Sequence, residues 1–251
     1  MTEAEWQGCD DPQPLLTHLE AAASARKLKL FGIACCERVR PWLVDARSRT
    51  YLKCTARHVD GLATDAELET AHAAAWEVPG ELDDWRKPNV SAWYAARAAN
   101  LESASIVAWT SAGAIALAGA SWDSVIWLDT TRRAWIELYG SLDESDFEND
   151  SPHHYVGWNG FTHLDGWAAE RVIQTALAKH IFGNPFRHAP SQAWTATVMD
   201  LAQAAYNGDD NRLILADALE ESGCLELAEH FRREEWHPKG CWAMDLILGK
   251  S

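Results

Sequence analysis

Phe182 to Leu248 read FGNPFRHAPSQAWTATVMDLAQAAYNGDDNRLILADALEESGCLELAEHFRREEWHPKGCWAMDLIL, and this stretch decides the fold class. Gly183-Asn184-Pro185 interrupts whatever precedes it, because proline cannot donate a helical hydrogen bond and glycine readily leaves the helical region. Beyond the break come two helical runs, Thr195–Tyr206 and Asn211–Glu221. A turn follows at Ser222-Gly223-Cys224, and the stretch closes on Gly240-Cys241-Trp242 and a short apolar helix. Residues 182–251 are therefore expected to form a compact helical module.

Working outward from it, the same helical pattern covers the N-terminal part. Thr2-x-x-Glu5 has the form of a capping box and suits a short helix ending near Gly8. Pro12 and Pro14 punctuate, and Leu15, Leu16 and Leu19 supply the apolar face of a brief second helix. From Ser24 onward Leu28, Leu30, Phe31, Ile33, Ala34, Cys35 and Val39 cover one broad face, until Pro41 ends or kinks the run. Asp45 to Val59 predicts another helix, stopped by Asp60-Gly61, and Thr64-x-x-Glu67 is a second capping box leading through Trp76.

The middle third is less regular. Ser91 to Ala120 is rich in alanine and reads as one long helix or two abutting ones. Residues 103–122 carry no charge over the length of a membrane span, but their small polar residues and missing cationic flank favour a buried core helix. Ser121 to Tyr139 continues as an amphipathic helix, and then the character changes. Ser141 to Asp150 carries five acids, and Ser151 to Gly166 adds three histidines, three glycines and Trp158. Residues at about 140–166 are expected to form an irregular, exposed excursion, after which a helix runs from about Asp165 to Ile181. No period-2 strand pattern and no fixed-period repeat is evident. The expected architecture is an all-α, multi-helix bundle: a helical domain over 1–181 carrying the excursion, and the C-terminal module over 182–251, which can also pack as one domain.

The net charge of −15 and pI near 5.0 argue against a protein whose whole surface binds nucleic acid. Charge is unevenly spread: Arg26 to Arg57 hold nine basic residues against Glu37 and Asp45. That segment, with Arg38, Arg47 and Arg49 as candidates for partner binding, is the one place where nucleic acid or an acidic partner would fit. The competing and favoured account is a basic helix pair lying on the protein's own acidic portion. The acidic, polar Met1–Glu5 has no signal-peptide character, and six cysteines without a C-x-x-C pair suit free thiols in a reducing cytoplasm.

Several blocks resemble a bacterial family expanded in some large-genome environmental species. They are Trp6-x-x-Cys-x-Asp-Pro, Arg26-Lys27-Leu28-Lys29-Leu30-Phe31 with Ala34-Cys35-Cys36, and Asp60-Gly61-Leu62-Ala63. Near the C-terminus they are Ile181-Phe182-Gly183-Asn184-Pro185-Phe186-Arg187, the run Leu215–Cys224, and His237-Pro238-Lys239-Gly240-Cys241-Trp242. Arg212–Glu221 is also similar to a short helical module, the repeat-companion domain, with Ala218 in place of its usual tryptophan. The resemblance covers both ends of the chain and leaves the middle third uncovered. It implies an α-helical bacterial protein met beside interaction and signalling modules, and it carries no established activity.

Two residue sets have metal-binding chemistry. His153, His154 and His163 with Asp165 would offer imidazole and carboxylate around an open, catalytic position, although the spacing matches no standard motif and a solvated polar loop is the favoured account. Cys224, His230, His237 and Cys241 could instead close a structural tetrahedron, with zinc the possible ion. The competing account has both cysteines as small buried residues and the histidines at helix ends. Cys35 and Cys36 cannot share a helix face, since successive residues diverge by about 100°. Nucleophile-elbow, P-loop and dinucleotide-binding motifs are absent. Of the 14 tryptophans, Trp158 and Trp167 beside the excursion are candidates for a ligand groove or partner surface. The expectation is a non-enzymatic interaction or adaptor protein whose partner is another protein, with no membrane association and no cofactor required. A metal-dependent hydrolase-like enzyme and a small-ligand binder with a Trp-lined pocket are the alternatives.

Overall fold

Ser24, Asp45, Thr64 and Thr195 each stand one residue before a helix and turn an oxygen back onto its first exposed amides. In the computed structural model, which describes residues 1–19, 22–40, 43–77, 96, 160–187 and 193–250, these caps set the element boundaries. The described residues form ten helices and no strand. They are α1 (Glu3–Gly8), α2 (Pro12–Leu19), α3 (Ala25–Arg38), α4 (Ala46–Val59), α5 (Asp65–Trp76), α6 (Gly160–Phe182), α7 (Ala196–Tyr206), α8 (Arg212–Glu221), α9 (Leu225–Arg233) and α10 (Trp242–Leu248). No described helix is long and apolar enough to cross a membrane. The uncharged 103–122 segment lies outside the described residues.

Both predicted capping boxes form. Thr2 Oγ1 accepts the Glu5 amide at 3.2 Å while the Thr2 amide donates to Glu5 Oε2 at 2.7 Å. The Thr64–Glu67 pair repeats this at 3.2 and 2.8 Å. Such a cap is worth about 1 kcal/mol, so Thr64→Ala should lower the unfolding free energy by about that much, measured by urea denaturation.

The chain divides into two compact units, one of Met1–Gly8 with Leu177–Ser251, the other of Cys9–Ala176. The units change over between Ala176 and Leu177, and the first eight residues belong with the C-terminal part. In the Cys9–Ala176 unit, α4 and α5 are joined through Gly61, whose φ of +70° suits glycine. They pack through Tyr51, Cys54, Leu68 and Ala75. Glu170 of α6 is buried and takes a bidentate pair from Arg38, with both contacts at 2.7 Å.

In the other unit, α7 to α10 share an apolar core that includes Val198, Ala202, Leu215, Leu219, Leu227, Phe231, Met244 and Ile247. Helix α9 has no counterpart among the expected helices. Its nine residues hold four charges, so its apolar stripe is only Leu227, Ala228 and Phe231. Arg232 ties it to α8, pairing with Asp217 at 2.7 Å and with Glu220.

One expectation needs correction. Residues 160–166, expected within the irregular excursion, are helical and open α6. Gly160 and Gly166 read as breakers, yet each costs only about 1 kcal/mol against alanine, too little to stop a long helix. Residues 140–159 lie outside the described residues.

Candidate metal centre

Four side chains from four local contexts meet in the unit that contains the C-terminus. His180 stands in the last turn of α6, His230 in α9, His237 in the connection after α9, and Cys241 directly before α10. One ligand atom from each lies within 4.8 Å of all the others. His180 Nε2 is 3.2 Å from His237 Nδ1, His230 Nε2 is 3.2 Å from Cys241 Sγ, and Cys241 Sγ is 3.6 Å from His237 Nδ1.

Each local fold has a reason. α9 turns His230 inward beside Phe231, so both are buried. His237-Pro238-Lys239-Gly240 closes a tight turn, with the Cys241 amide donating to Pro238 O at 3.0 Å. Gly240 adopts φ +88°, which brings Cys241 back towards His237 and starts α10. Gly183 ends α6 with φ +70°, and a Cβ there would lie 3.0 Å from Trp242 Cγ. Gly183→Ala should therefore cost about 2 kcal/mol from strain and crowding together, read as a shift in the urea midpoint.

The electrostatics suit ligation. Burial, followed by the neighbouring His180 and His237, lowers the His230 pKa from its ordinary 6.5 to about 3. Burial likewise lowers that of His237, opposed by the backbone at Glu234 and Phe231. Both rings are thereby neutral near pH 7, the form that binds a metal. His237 Nε2 is buried and makes no hydrogen bond among the described residues. Packing is tight around the rings: His230 lies 5.2 Å from Trp242 and 5.4 Å from Phe231, and His237 lies 4.7 Å from Phe231, centroid to centroid.

The distances fit one small ion. With Zn–N near 2.05 Å and Zn–S near 2.3 Å, a regular tetrahedron has N···N edges of about 3.3 Å and N···S edges of about 3.6 Å. His180–His237 at 3.2 Å and Cys241–His237 at 3.6 Å lie close to those edges, while His230–Cys241 at 3.2 Å is about 0.4 Å short of an N···S edge. This group could hold a metal.

Of the set Cys224, His230, His237 and Cys241, the structure brings the last three together and supplies His180 as the fourth. Cys224 sits at the start of α9 with its thiol 3.9 Å from Ser222 O, and it is not a member of the group. The physical reason is that Cys224 closes the α8–α9 turn, its amide donating to Leu219 O at 2.8 Å, while His230 lies almost two helical turns further on. His180 carried no local signal, being 50 residues from the nearest other ligand.

The other candidates fall differently. His153, His154 and Trp158 lie outside the described residues. His163, Asp165 and Trp167 fall within the span of α6, and their side chains lie outside those the structure describes. In the basic segment, Arg38 is bound to Glu170, and Arg47 pairs with Asp45 at 3.0 Å. Arg49 donates to the carbonyls of Leu43 and Val44 at 2.9 and 2.8 Å. Arg38 thus has a partner outside the segment, whereas the partners of Arg47 and Arg49 lie within it. No family model, curated protein or solved structure matches the chain.

Proposed function

We propose that residues 1–8 and 177–251 form a zinc-stapled helical module with a non-enzymatic, protein-binding role. The observation that carries this is the convergence of His180, His230, His237 and Cys241 within 4.8 Å. Three imidazoles and a thiolate are nitrogen and sulfur donors of the kind zinc takes, and not the oxygen-rich set that magnesium or calcium requires. Four protein ligands complete a tetrahedron and leave no position for substrate or water, the form of a structural site. Leu213, Ile214, Leu225 and Trp236 are exposed large apolar residues of the module and are the side chains such a partner would meet. A reducing, cytoplasmic setting suits a thiolate ligand and a chain in which none of the six cysteines is in a disulfide.

The test is elemental mass spectrometry on tag-free protein purified without chelator. About one zinc per chain supports the reading. A metal-free chain that also takes up no added zinc overturns it. Zinc retained when all of His180, His230 and His237 are changed to alanine would place the ion elsewhere and reopen the hydrolase alternative.

A further inference from the structure

A helix leaves its last carbonyls without amide partners of its own, and α9 ends between two members of the metal group, His230 and His237. The Glu234 amide donates to His230 O at 3.1 Å as the chain turns to extended geometry. Arg212, the first residue of α8, serves the next two carbonyls. Its Nη1 donates to Phe231 O at 3.4 Å and to Arg232 O at 3.5 Å. A side chain from one helix thus caps the last turn of another.

The capped turn lies against His237, whose ring packs on that of Phe231 with 4.7 Å between centroids. His237 Nδ1 faces the other ligand atoms, 3.2 Å from His180 Nε2 and 3.6 Å from Cys241 Sγ, so the ion would sit on Nδ1. A neutral imidazole bound through Nδ1 carries its proton on Nε2. That Nε2 is buried and makes no hydrogen bond among the described residues, and a buried donor left unsatisfied is costly. After burial, which lowers its pKa, this ring feels the backbone and charge of Glu234, which raise it. The Arg212 charge then lowers it and the Phe231 backbone raises it. Its neighbouring backbone acceptors are therefore those of Glu234 and Phe231, and Phe231 O is the one that Arg212 holds.

We infer that Arg212 is a positioning residue of the metal centre: it holds the last turn of α9 so that Phe231 O accepts the Nε2–H of His237 while Nδ1 takes the ion. This rests on the zinc reading. A metal-ligating histidine commonly donates its second ring N–H to a carbonyl, which fixes the tautomer and the ring orientation. A carbonyl oxygen has two lone pairs, so Phe231 O can accept from Arg212 and His237 together. Because Phe231 follows His230 directly, one arginine steadies two ligands.

The experiment measures zinc affinity of the full chain, by competition with a chromophoric chelator, in wild type, Arg212→Met, Arg212→Lys and Arg232→Met. Arg212→Met should bind zinc about 10–100-fold more weakly. Arg212→Lys, which keeps a donor on a stem of similar reach, should recover part of that loss. Arg232 bonds to Asp217 and Glu220 of α8, so Arg232→Met unties α9 from α8 without uncapping its last turn and should leave the affinity unchanged. Imidazole nitrogen-15 spectra of the zinc-loaded wild type should show His237 bound through Nδ1, with an Nε2 proton that exchanges slowly with water and faster in Arg212→Met. Wild-type affinity in Arg212→Met overturns the proposal. So does an equal loss in Arg232→Met, because affinity would then follow the general attachment of α9. If Arg212→Met does not fold, Arg212→Lys decides: affinity below that of Arg232→Met supports the proposal, and affinity no lower overturns it. His237 bound through Nε2 overturns it and leaves the zinc reading intact. A chain that takes up no zinc overturns both.

Discussion

Cys241→Ser should abolish zinc binding and lower the melting temperature of the C-terminal unit by about 10–20 °C, while Cys224→Ser should change neither. The contrast follows from position. Cys241 Sγ is buried and lies 3.2 Å from His230 Nε2 and 3.6 Å from His237 Nδ1, whereas the Cys224 thiol faces Ser222 O. A serine hydroxyl is a poor substitute for a thiolate, because it stays protonated near neutral pH and is a harder donor. Loss of even an ion held at 100 times its dissociation constant removes about 2.7 kcal/mol of stability. In a unit of this size each kcal/mol moves the melting temperature by about 4–8 °C.

The control is a chelator titration followed by differential scanning calorimetry. Wild type and Cys224→Ser should fall to the melting temperature of Cys241→Ser when stripped, and Cys241→Ser should not respond. Equal behaviour of the two cysteine variants, or a wild type indifferent to chelator, would mean that the four side chains are only a hydrogen-bonded core cluster.

Arg38→Met should cost about 3 kcal/mol or more, and Glu170→Gln distinctly less. Both are members of one pair, but their surroundings differ. The Glu170 side chain is 1% exposed and that of Arg38 is 33% exposed. Removing the arginine strands a buried carboxylate whose remaining contact is Gln174 Nε2 at 3.5 Å, and an uncompensated buried charge costs about 3–5 kcal/mol. Removing the carboxylate leaves a guanidinium that water can still reach. The pair also holds the Arg38 pKa above its ordinary value, through the hydrogen bonding that Arg38 donates to Glu170 ahead of the carboxylate's charge. A double variant, Arg38→Met with Glu170→Met, should recover most of the loss, because two apolar groups leave nothing unsatisfied. Urea denaturation of wild type, Arg38→Met, Glu170→Met and the double variant closes the cycle. Additive losses would show that the pair does not couple.

The local rules of helix making were legible throughout the described residues. Ser24, Asp45, Thr64 and Thr195 announce their helices because a cap is an interaction over three residues, visible without knowing the fold. The stops at Asp60-Gly61 and Gly183 are equally local, since each depends on one backbone conformation. α9 was harder to see: in nine residues with four charges, its buried stripe is too short to stand out as a period. The extension of α6 back to Gly160 was masked by two glycines, whose local cost the longer helix outweighs.

The metal centre divides along the same line. His230, His237 and Cys241 lie within 12 residues, so their shared chemistry could be read from the chain itself. Cys224 looked equivalent because spacing counts residues and not directions. His180 was invisible for the opposite reason: nothing about a histidine in the last turn of a helix indicates what that turn will rest against. The sequence alone determined an all-α chain, its cap positions and three of the four ligand-type side chains. Only the tertiary structure chose His180 over Cys224, because ligand convergence depends on how helices distant along the chain pack, and packing is set by side-chain volume and burial across the whole unit.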